Sequence, residues 1–160
     1  MKAIKEIMKT APLSCGKSET IQSVVTQMYK ANIGFLPVVD ENKKVIGTIT
    51  DRDVFMALGK THKTPQDLKV QEVMNKTAHL ISQDDTVSTA LQVMRTKHVS
   101  RLPVVDADKR LKGVVNLARI ARNVKNSSEK NELGHAGSEN ILNTFMSLAE
   151  RNSNKQYVEE

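Results

Sequence analysis

The sequence predicts an α/β (α+β) fold built from two tandem β-α-β-β-α repeats, followed by a C-terminal helix. Four observations carry this expectation. The segment Phe35-Leu36-Pro37-Val38-Val39-Asp40 returns as Arg101-Leu102-Pro103-Val104-Val105-Asp106, displaced by 66 residues. The same displacement superposes Met8 on Met74, Thr20 on Thr86, Met28 on Met94 and Gly47 on Gly113 without a gap. Across residues 4–58 against 70–124 it gives 11 identities in 55 pairs, with many Ile/Val/Leu exchanges among the rest. Chance does not readily produce so regular a frame, so the chain is read as a tandem duplication. Finally, within each copy the apolar spacing alternates between that of a helix and that of a strand.

Each copy opens with a short amphipathic turn, Ile4, Ile7 and Met8 in the first and Val70, Val73 and Met74 in the second. An extended piece follows around Leu13–Cys15 or Leu80–Ile81. Thr20 and Thr86 are N-cap residues by type, because a hydroxyl can accept from an unpaired N–H of the first turn. The helices they start carry Ile21, Val24, Val25 and Met28, repeated as Val87, Ala90, Leu91 and Met94. Two β-rich runs come next, Phe35–Val39 and Val45–Ile49, joined by the turn-like 40–44. Leu102–Val105 and Leu111–Val115 repeat them around 106–110. A last helix is expected over Thr50–Leu58 and Asn116–Val124.

The organisation read from this pattern is repeat 1 at 1–59, a polar linker at 60–69, repeat 2 at 70–125, a flexible linker at 126–137 and a C-terminal helix with an acidic tail at 138–160. In the last segment Ile141, Leu142, Phe145, Met146, Leu148 and Ala149 form an apolar stripe, with Ser138 as its expected cap. An isolated helix of that length is marginal in water, so it should dock, on its own module or on a partner subunit.

A compact chain of 160 residues buries roughly 70% of its unfolded surface and needs neither disulfide nor metal to be stable. With no Trp and 3% aromatic residues, the core must rest on Val, Ile, Leu and Met. No run approaches the roughly 18 apolar residues of a membrane span. Glu6 interrupts the apolar stretch that a signal peptide would need, and Cys15 is the single cysteine. A cytoplasmic location is therefore expected. Charge is unevenly spread: +2 over 1–59, +7 over 60–126 and −3 over 127–160, for a net charge of +6. The basic middle third suits an anionic ligand, or simply forms a solvated surface.

The duplicated Leu-Pro-Val-Val-Asp frame, with Gly47-Thr48-Ile49-Thr50-Asp51-Arg52-Asp53, closely resembles a tandem pair of cystathionine-β-synthase (CBS) domains, a Bateman-type regulatory module, over about residues 1–125. The resemblance implies two repeats packed about a pseudo-two-fold axis, with clefts that commonly bind adenine nucleotides or other adenosyl compounds. It also implies pairing into a flat, disc-like homodimer and regulation rather than catalysis. The tail helix lies outside it.

The family's Gly-x-x-Thr-x-x-Asp pattern is intact in copy one. Gly47 would admit close backbone approach, Thr50 offers a hydroxyl, and Asp53 offers a carboxylate suited to the two hydroxyls of a ribose. On spacing alone Thr50 and Asp53 also read as a helix-capping box. The resemblance adds Thr10, Ala11 and Pro12, and Ile33, Gly34, Phe35 and Pro37, as stretches that hold an adenine ring; ordinary core packing is the alternative for Phe35. Arg52 could reach a phosphate.

Copy two departs from the pattern. Asn116 stands where Thr50 does, and Arg119 replaces Asp53. An arginine at a helix start is unfavourable by the helix dipole, by about 0.3–1 kcal/mol, unless an anion is bound there. Arg101 and Ser100 add a guanidinium and a hydroxyl beside Pro103. One reading divides the labour: Thr50 and Asp53 hold a nucleoside, while Arg101 and Arg119 meet phosphates. The other leaves the second site empty.

His62, His79, His98 and His135 are scattered without metal-ligand spacing. No Walker loop or catalytic constellation assembles, so the chain is not read as an enzyme. A pI near 9.5 keeps nucleic acid in view, but few aromatics and an acidic tail disfavour it. The expected function is a homodimeric regulatory sensor of an adenine nucleotide or S-adenosylmethionine-like ligand that modulates an unknown protein on another chain. Cofactors, metals and membranes are not expected. The alternative is a ligand-free dimerisation module.

Overall fold

The computed structural model describes residues 2–126 and 134–153. In chain order the elements are α1 (Ile4–Ile7), β1 (Lys9–Thr10), β2 (Cys15–Gly16), α2 (Ile21–Ala31), β3 (Phe35–Val39), β4 (Val45–Thr50), α3 (Asp51–Leu58), α4 (Val70–Val73), β5 (Ile81–Ser82), α5 (Val87–Lys97), β6 (Arg101–Val105), β7 (Leu111–Asn116), α6 (Leu117–Asn126) and α7 (Gly134–Ser153). The β-α-β-β-α order is present twice, each time behind a one-turn helix.

The two compact units do not coincide with the two sequence copies. One comprises Ala11–Ala78 with the hairpin end Val105–Lys112; the other comprises Met1–Thr10, His79–Val104 and Gly113–Glu160.

In the first of these, β2 runs parallel to β3 and β3 antiparallel to β4 in a three-stranded sheet. Thr20 caps α2 by accepting from Ser23 N at 3.1 Å, and Asn32 ends the helix in the left-handed region at φ 50°. Ile21, Val24 and Met28 from α2 meet Leu36, Val38 and Ile49 from the sheet in one core, joined by Cys15, Val54, Leu68 and Val70. Two of those core residues come from beyond the first copy. Leu68 belongs to the expected linker, yet it is buried, and its carbonyl accepts from Ile21 N at 2.8 Å. Thr48 and Asn75 exchange both backbone hydrogen bonds, at 3.0 and 2.9 Å, so the segment after α4 lies along β4. This explains Gly47: a Cβ there would stand 2.7 Å from the Asn75 carbonyl oxygen.

The other unit repeats the arrangement with a sheet ordered β1-β7-β6-β5. Here β1 pairs with β7, Lys9 opposite Val114 and Thr10 opposite Gly113. A Cβ on Gly113 would lie 2.9 Å from the Lys9 carbonyl oxygen, the counterpart of the Gly47 contact. The core gathers Ile4 and Ile7 from α1 with Ala90, Leu91, Met94, Leu102, Val104, Val115 and Ile120. Thr86 caps α5 through Thr89 N at 3.2 Å, and His98 closes it at φ 51°.

The C-terminal helix begins at Gly134, not at the expected cap Ser138, which lies inside it. It docks within this unit: Ile141 and Leu148 pack against the core just described, and Thr144 is 1% exposed. Of the expected flexible linker, 127–133 lie outside the described residues, as do tail residues 154–160. Among the described residues, no helix is long and apolar enough to cross a membrane.

Candidate functional site

The start of α3 is fixed by its own side chains. Thr50, in extended conformation, accepts from Asp53 N through Oγ1 at 3.1 Å. In return Asp53 Oδ2 accepts from Thr50 N at 2.9 Å and from Thr50 Oγ1 at 2.7 Å. The capping box that the spacing allowed is therefore formed. It commits Oδ2 and leaves Oδ1 outside the box, on a half-buried carboxylate at the positive end of a helix. Capping and ligand binding are thus compatible roles for one side chain, each using a different oxygen.

Strand register brings several of the other candidates to this point. Phe35 lies opposite Thr50 across β3 and β4, and Pro37 opposite Thr48. Gly34 accepts from Asp51 N at 3.3 Å, and a Cβ on it would come within 2.3 Å of Asp51 Oδ2, so a side chain there would collide with the carboxylate. Ile33 packs onto the core, Pro37 is buried, and Arg52 is exposed. Ala11 has φ 46°, a left-handed conformation that costs a non-glycine residue about 1 kcal/mol and that its counterpart Thr77 does not share. Ala11 and Pro12 belong to the same unit as Asp53, whereas Thr10 is paired into the other.

A cavity of about 450 Å³ opens beside Asp53, lined also by Lys60, Thr61, Lys63 and Glu72. Lys60 and Lys63 are functional candidates that the sequence does not single out, because they sit in a stretch that reads as a plain linker. Lys63 is paired with Glu72. That hydrogen bond, together with the Lys69 backbone N–H, holds the Glu72 carboxyl below its ordinary value. Among the described residues Lys60 makes no ion pair, so it is the cation at this cavity free to meet an anion.

The copy-two candidates are arranged differently. Asn116 Oδ1 accepts from Arg119 N at 2.7 Å and so caps α6 as Thr50 caps α3. Arg119, however, turns its guanidinium onto the end of α1, donating to the Ile7 carbonyl and, at 3.2 Å, to the Met8 carbonyl. The cation that is unfavourable at one helix start is thereby placed at the negative end of another. A phosphate would have to compete with two carbonyl groups for Arg119. Arg101 is exposed at the start of β6, Pro103 is buried, and Ser100 accepts from Leu117 N through its backbone carbonyl at 3.0 Å.

Cys15 is buried, and burial pushes its thiol up to about 12, with Glu19 adding to the effect. It is a core residue and no thiolate at neutral pH. Among the described residues no group of three His, Cys, Asp or Glu side chains is placed to hold a metal.

The sequence profile of the CBS domain matches residues 4–60 and 70–126. CBS domain-containing protein YhcV of Bacillus subtilis is 33% identical over 147 residues, which cover 88% of this chain and 99% of YhcV. L-aspartate semialdehyde sulfurtransferase of Methanocaldococcus jannaschii is 32% identical over 119 residues, covering 74% of this chain but only 22% of the enzyme. Inosine-5'-monophosphate dehydrogenase of the same organism is 34% identical over 122 residues, 76% of this chain and again 22% of the enzyme. The chain therefore spans about 22% of the length of these two relatives. Among solved structures, the CBS domain pair of protein MJ0100, in complex with 5'-methylthioadenosine and S-adenosyl-L-methionine, superposes with a TM-score of 0.69 at 28% identity, covering 78% of this chain and 97% of that one. Hypoxic Response Protein I, with two coordinated zinc ions, gives a TM-score of 0.69 at 27% identity, covering 77% and 99%.

Proposed function

This chain belongs to the CBS domain family, and on that premise we propose that it is a regulatory module that binds an adenine nucleotide or adenosyl compound and modulates a protein on another chain. The likeness to the MJ0100 domain pair, held in complex with two adenosyl compounds, carries the reading. In this reading the ligand binds at the start of α3. Asp53 Oδ1 accepts from the ribose hydroxyls, while Oδ2 keeps the capping box that fixes the carboxylate in place. Lys60 neutralises phosphate or another anionic group in the adjoining cavity, and Arg52 lies one residue from Asp53. Ile33, Gly34 and Phe35 flank the base, with Ala11 and Pro12 as further contacts. In the second repeat Arg101 and Asn116 remain candidates for an anion.

The module acts in the cytoplasm as a homodimer and carries out no catalytic step. Binding is transmitted only if the ligand favours one arrangement of the module over another, since equal affinity for both shifts nothing. Neither a cofactor nor a metal enters this account.

Thermal unfolding with a panel of adenine, guanine and adenosyl ligands tests the reading. A ligand at 100 times its Kd stabilises by about 2.7 kcal/mol. For a chain of this size that raises Tm by roughly 2–4 °C per kcal/mol. The informative variant is Asp53→Glu, because glutamate is the usual partner in a capping box and preserves α3 while displacing the carboxylate. The expected result is a selective shift that Asp53→Glu and Asp53→Ala both abolish, with Asp53→Glu retaining the unliganded Tm. No shift with any ligand would favour a ligand-free dimerisation module. An undiminished shift in Asp53→Glu would remove Asp53 from the site.

A further inference from the structure

The two repeats differ in what covers their helices. On α5 and α6 the cover is α7: Ile141 and Leu148 pack on a core that includes Leu91, Met94, Leu117 and Ile120. Ser147 Oγ donates to the Arg95 carbonyl at 3.3 Å and stands 3.3 Å from His98 Nδ1. Displaced by 66 residues, the six residues of this seat become Val25, Met28, Asp51, Val54, Tyr29 and Asn32. All six line a groove of about 510 Å³ between α2 and α3 in the other unit. The groove is thus the counterpart of a seat that this chain fills with an amphipathic helix, and among the described residues no helix fills it. Where the filled seat has Arg95 and Ala121, the groove has Tyr29, 86% exposed, and Phe55, 77% exposed.

The chain also carries an apolar face that none of the described residues covers. Ile141, Thr144 and Leu148 occupy the docked side of α7, whereas Leu142, Phe145 and Met146 share another side and are 58%, 63% and 52% exposed. Spacings of three and four residues put them on one ridge. Three of the chain's five aromatic residues, Tyr29, Phe55 and Phe145, therefore stand on these two surfaces. In a chain so poor in aromatics, that placement marks contact surface rather than core. The flanking charges are complementary. Glu139 and Glu150 lie one turn before and after the ridge, and Lys30 and Arg52 are exposed beside the groove residues Tyr29 and Asp51. Asp51 is the one like charge that the ridge would meet.

We propose that the groove between α2 and α3 is occupied by the Leu142/Phe145/Met146 ridge of α7 from a second copy of this chain. The α7 helix is then two-sided: one face closes its own second repeat, and the other closes the first repeat of its partner. In a two-fold pair the contact is made twice. The proposal rests on the homodimer of the preceding reading and supplies its interface.

Light scattering and sedimentation of the full chain, with paired variants, test it. Wild type is expected to be dimeric, and Phe145→Glu or Phe55→Glu to weaken the dimer by about tenfold or more, as loss of a central aromatic anchor does. Both sites are exposed, so far-UV circular dichroism should be unchanged. Mixing Phe55→Cys chains with Phe145→Cys chains should give 55–145 disulfide dimers that neither variant forms alone, since the native Cys15 is buried. A wild-type dimer that both glutamate variants leave intact would overturn the interface and spare the homodimer. So would Phe55→Cys linking to itself in preference. A wild type that stays monomeric at every concentration would overturn both.

Discussion

The two repeats solve one packing problem with the same parts and then part company at their helix starts. Thr20 and Thr86 cap equivalent helices, and Asn32 and His98 end them in the same left-handed conformation. Lys43 and Lys109, at φ 62° and 63°, turn equivalent hairpins. In each hairpin an aspartate, Asp40 or Asp106, accepts two backbone N–H groups at 2.9–3.0 Å. At α3 and α6 the caps remain, but Thr50 works with Asp53 whereas Asn116 works with an arginine that reaches away to α1. The difference teaches that scaffold and site are separable. Positions serving the backbone stay matched, and one position in a shared frame is free to be a carboxylate in one unit and a structural clamp in the other.

The equivalence is tested hardest in the cores. Leu36→Ala and Leu102→Ala each remove a fully buried side chain from matched strands. Each should cost about 2–5 kcal/mol, a Tm drop of roughly 2–4 °C per kcal/mol. Urea unfolding should give the pair similar losses, and a gap of more than about 2 kcal/mol between them would show that the units bear the fold unequally. Gly47→Val and Gly113→Val come next, because each drives a side chain against a backbone carbonyl. About 1–3 kcal/mol is expected for either, and a neutral effect at one site alone would break the match.

Smaller effects sharpen the divergence. Arg119→Ala should destabilise by about 1–2 kcal/mol through loss of two charge-assisted bonds on a half-buried side chain, and should leave ligand-induced stabilisation at α3 intact. Thr50→Ala should cost about 1 kcal/mol as a lost cap while also weakening ligand. Thermal scans with and without ligand separate the two patterns.

The smallest effect is on pH dependence. Glu72 is held below its ordinary value first by the Lys63 hydrogen bond, and Asp106 first by the Arg110 backbone N–H. A lowered carboxyl contributes stability that is complete above its unfolded value and lost as pH falls through the folded one. Stability should therefore decline only below roughly pH 5 on their account. Glu72→Gln and Asp106→Asn should each flatten that acid limb in urea titrations. An unchanged limb would mean that these bonds do not persist in solution.

Much of this is legible in the sequence. The caps, the hairpin turns and the alternating strands are local events, so a periodic sequence displays them twice. The Thr50–Asp53 box was also legible as an ambiguity, since capping and ribose recognition ask for the same residues at the same spacing. What could not be read was long-range. Gly47 suggested room for a ligand, and only the fold shows the Asn75 carbonyl already in that space. Leu68 sat in a polar stretch that reads as linker, although its one apolar side chain enters the core. Arg119 carries no local sign of the α1 carbonyls more than a hundred residues away. Lys60 shared the fate of Leu68, being hidden among solvated neighbours.

The way the units divide the chain has a consequence for how it emerges from the ribosome. Met1–Thr10 belongs with His79–Val104 and the residues from Gly113 onward, and the unit formed by Ala11–Ala78 takes in Val105–Lys112. Ile4 N bonds to Asp85 O, and Val45 N to Lys109 O. Neither unit can therefore close while only the first copy has been made, and at about 5–20 residues per second the earliest segments wait several seconds for their partners. Cutting the chain in the 60–69 stretch would not release two half-sized domains. It would yield two fragments, each holding a segment that the other's unit needs, which should regain structure only when mixed.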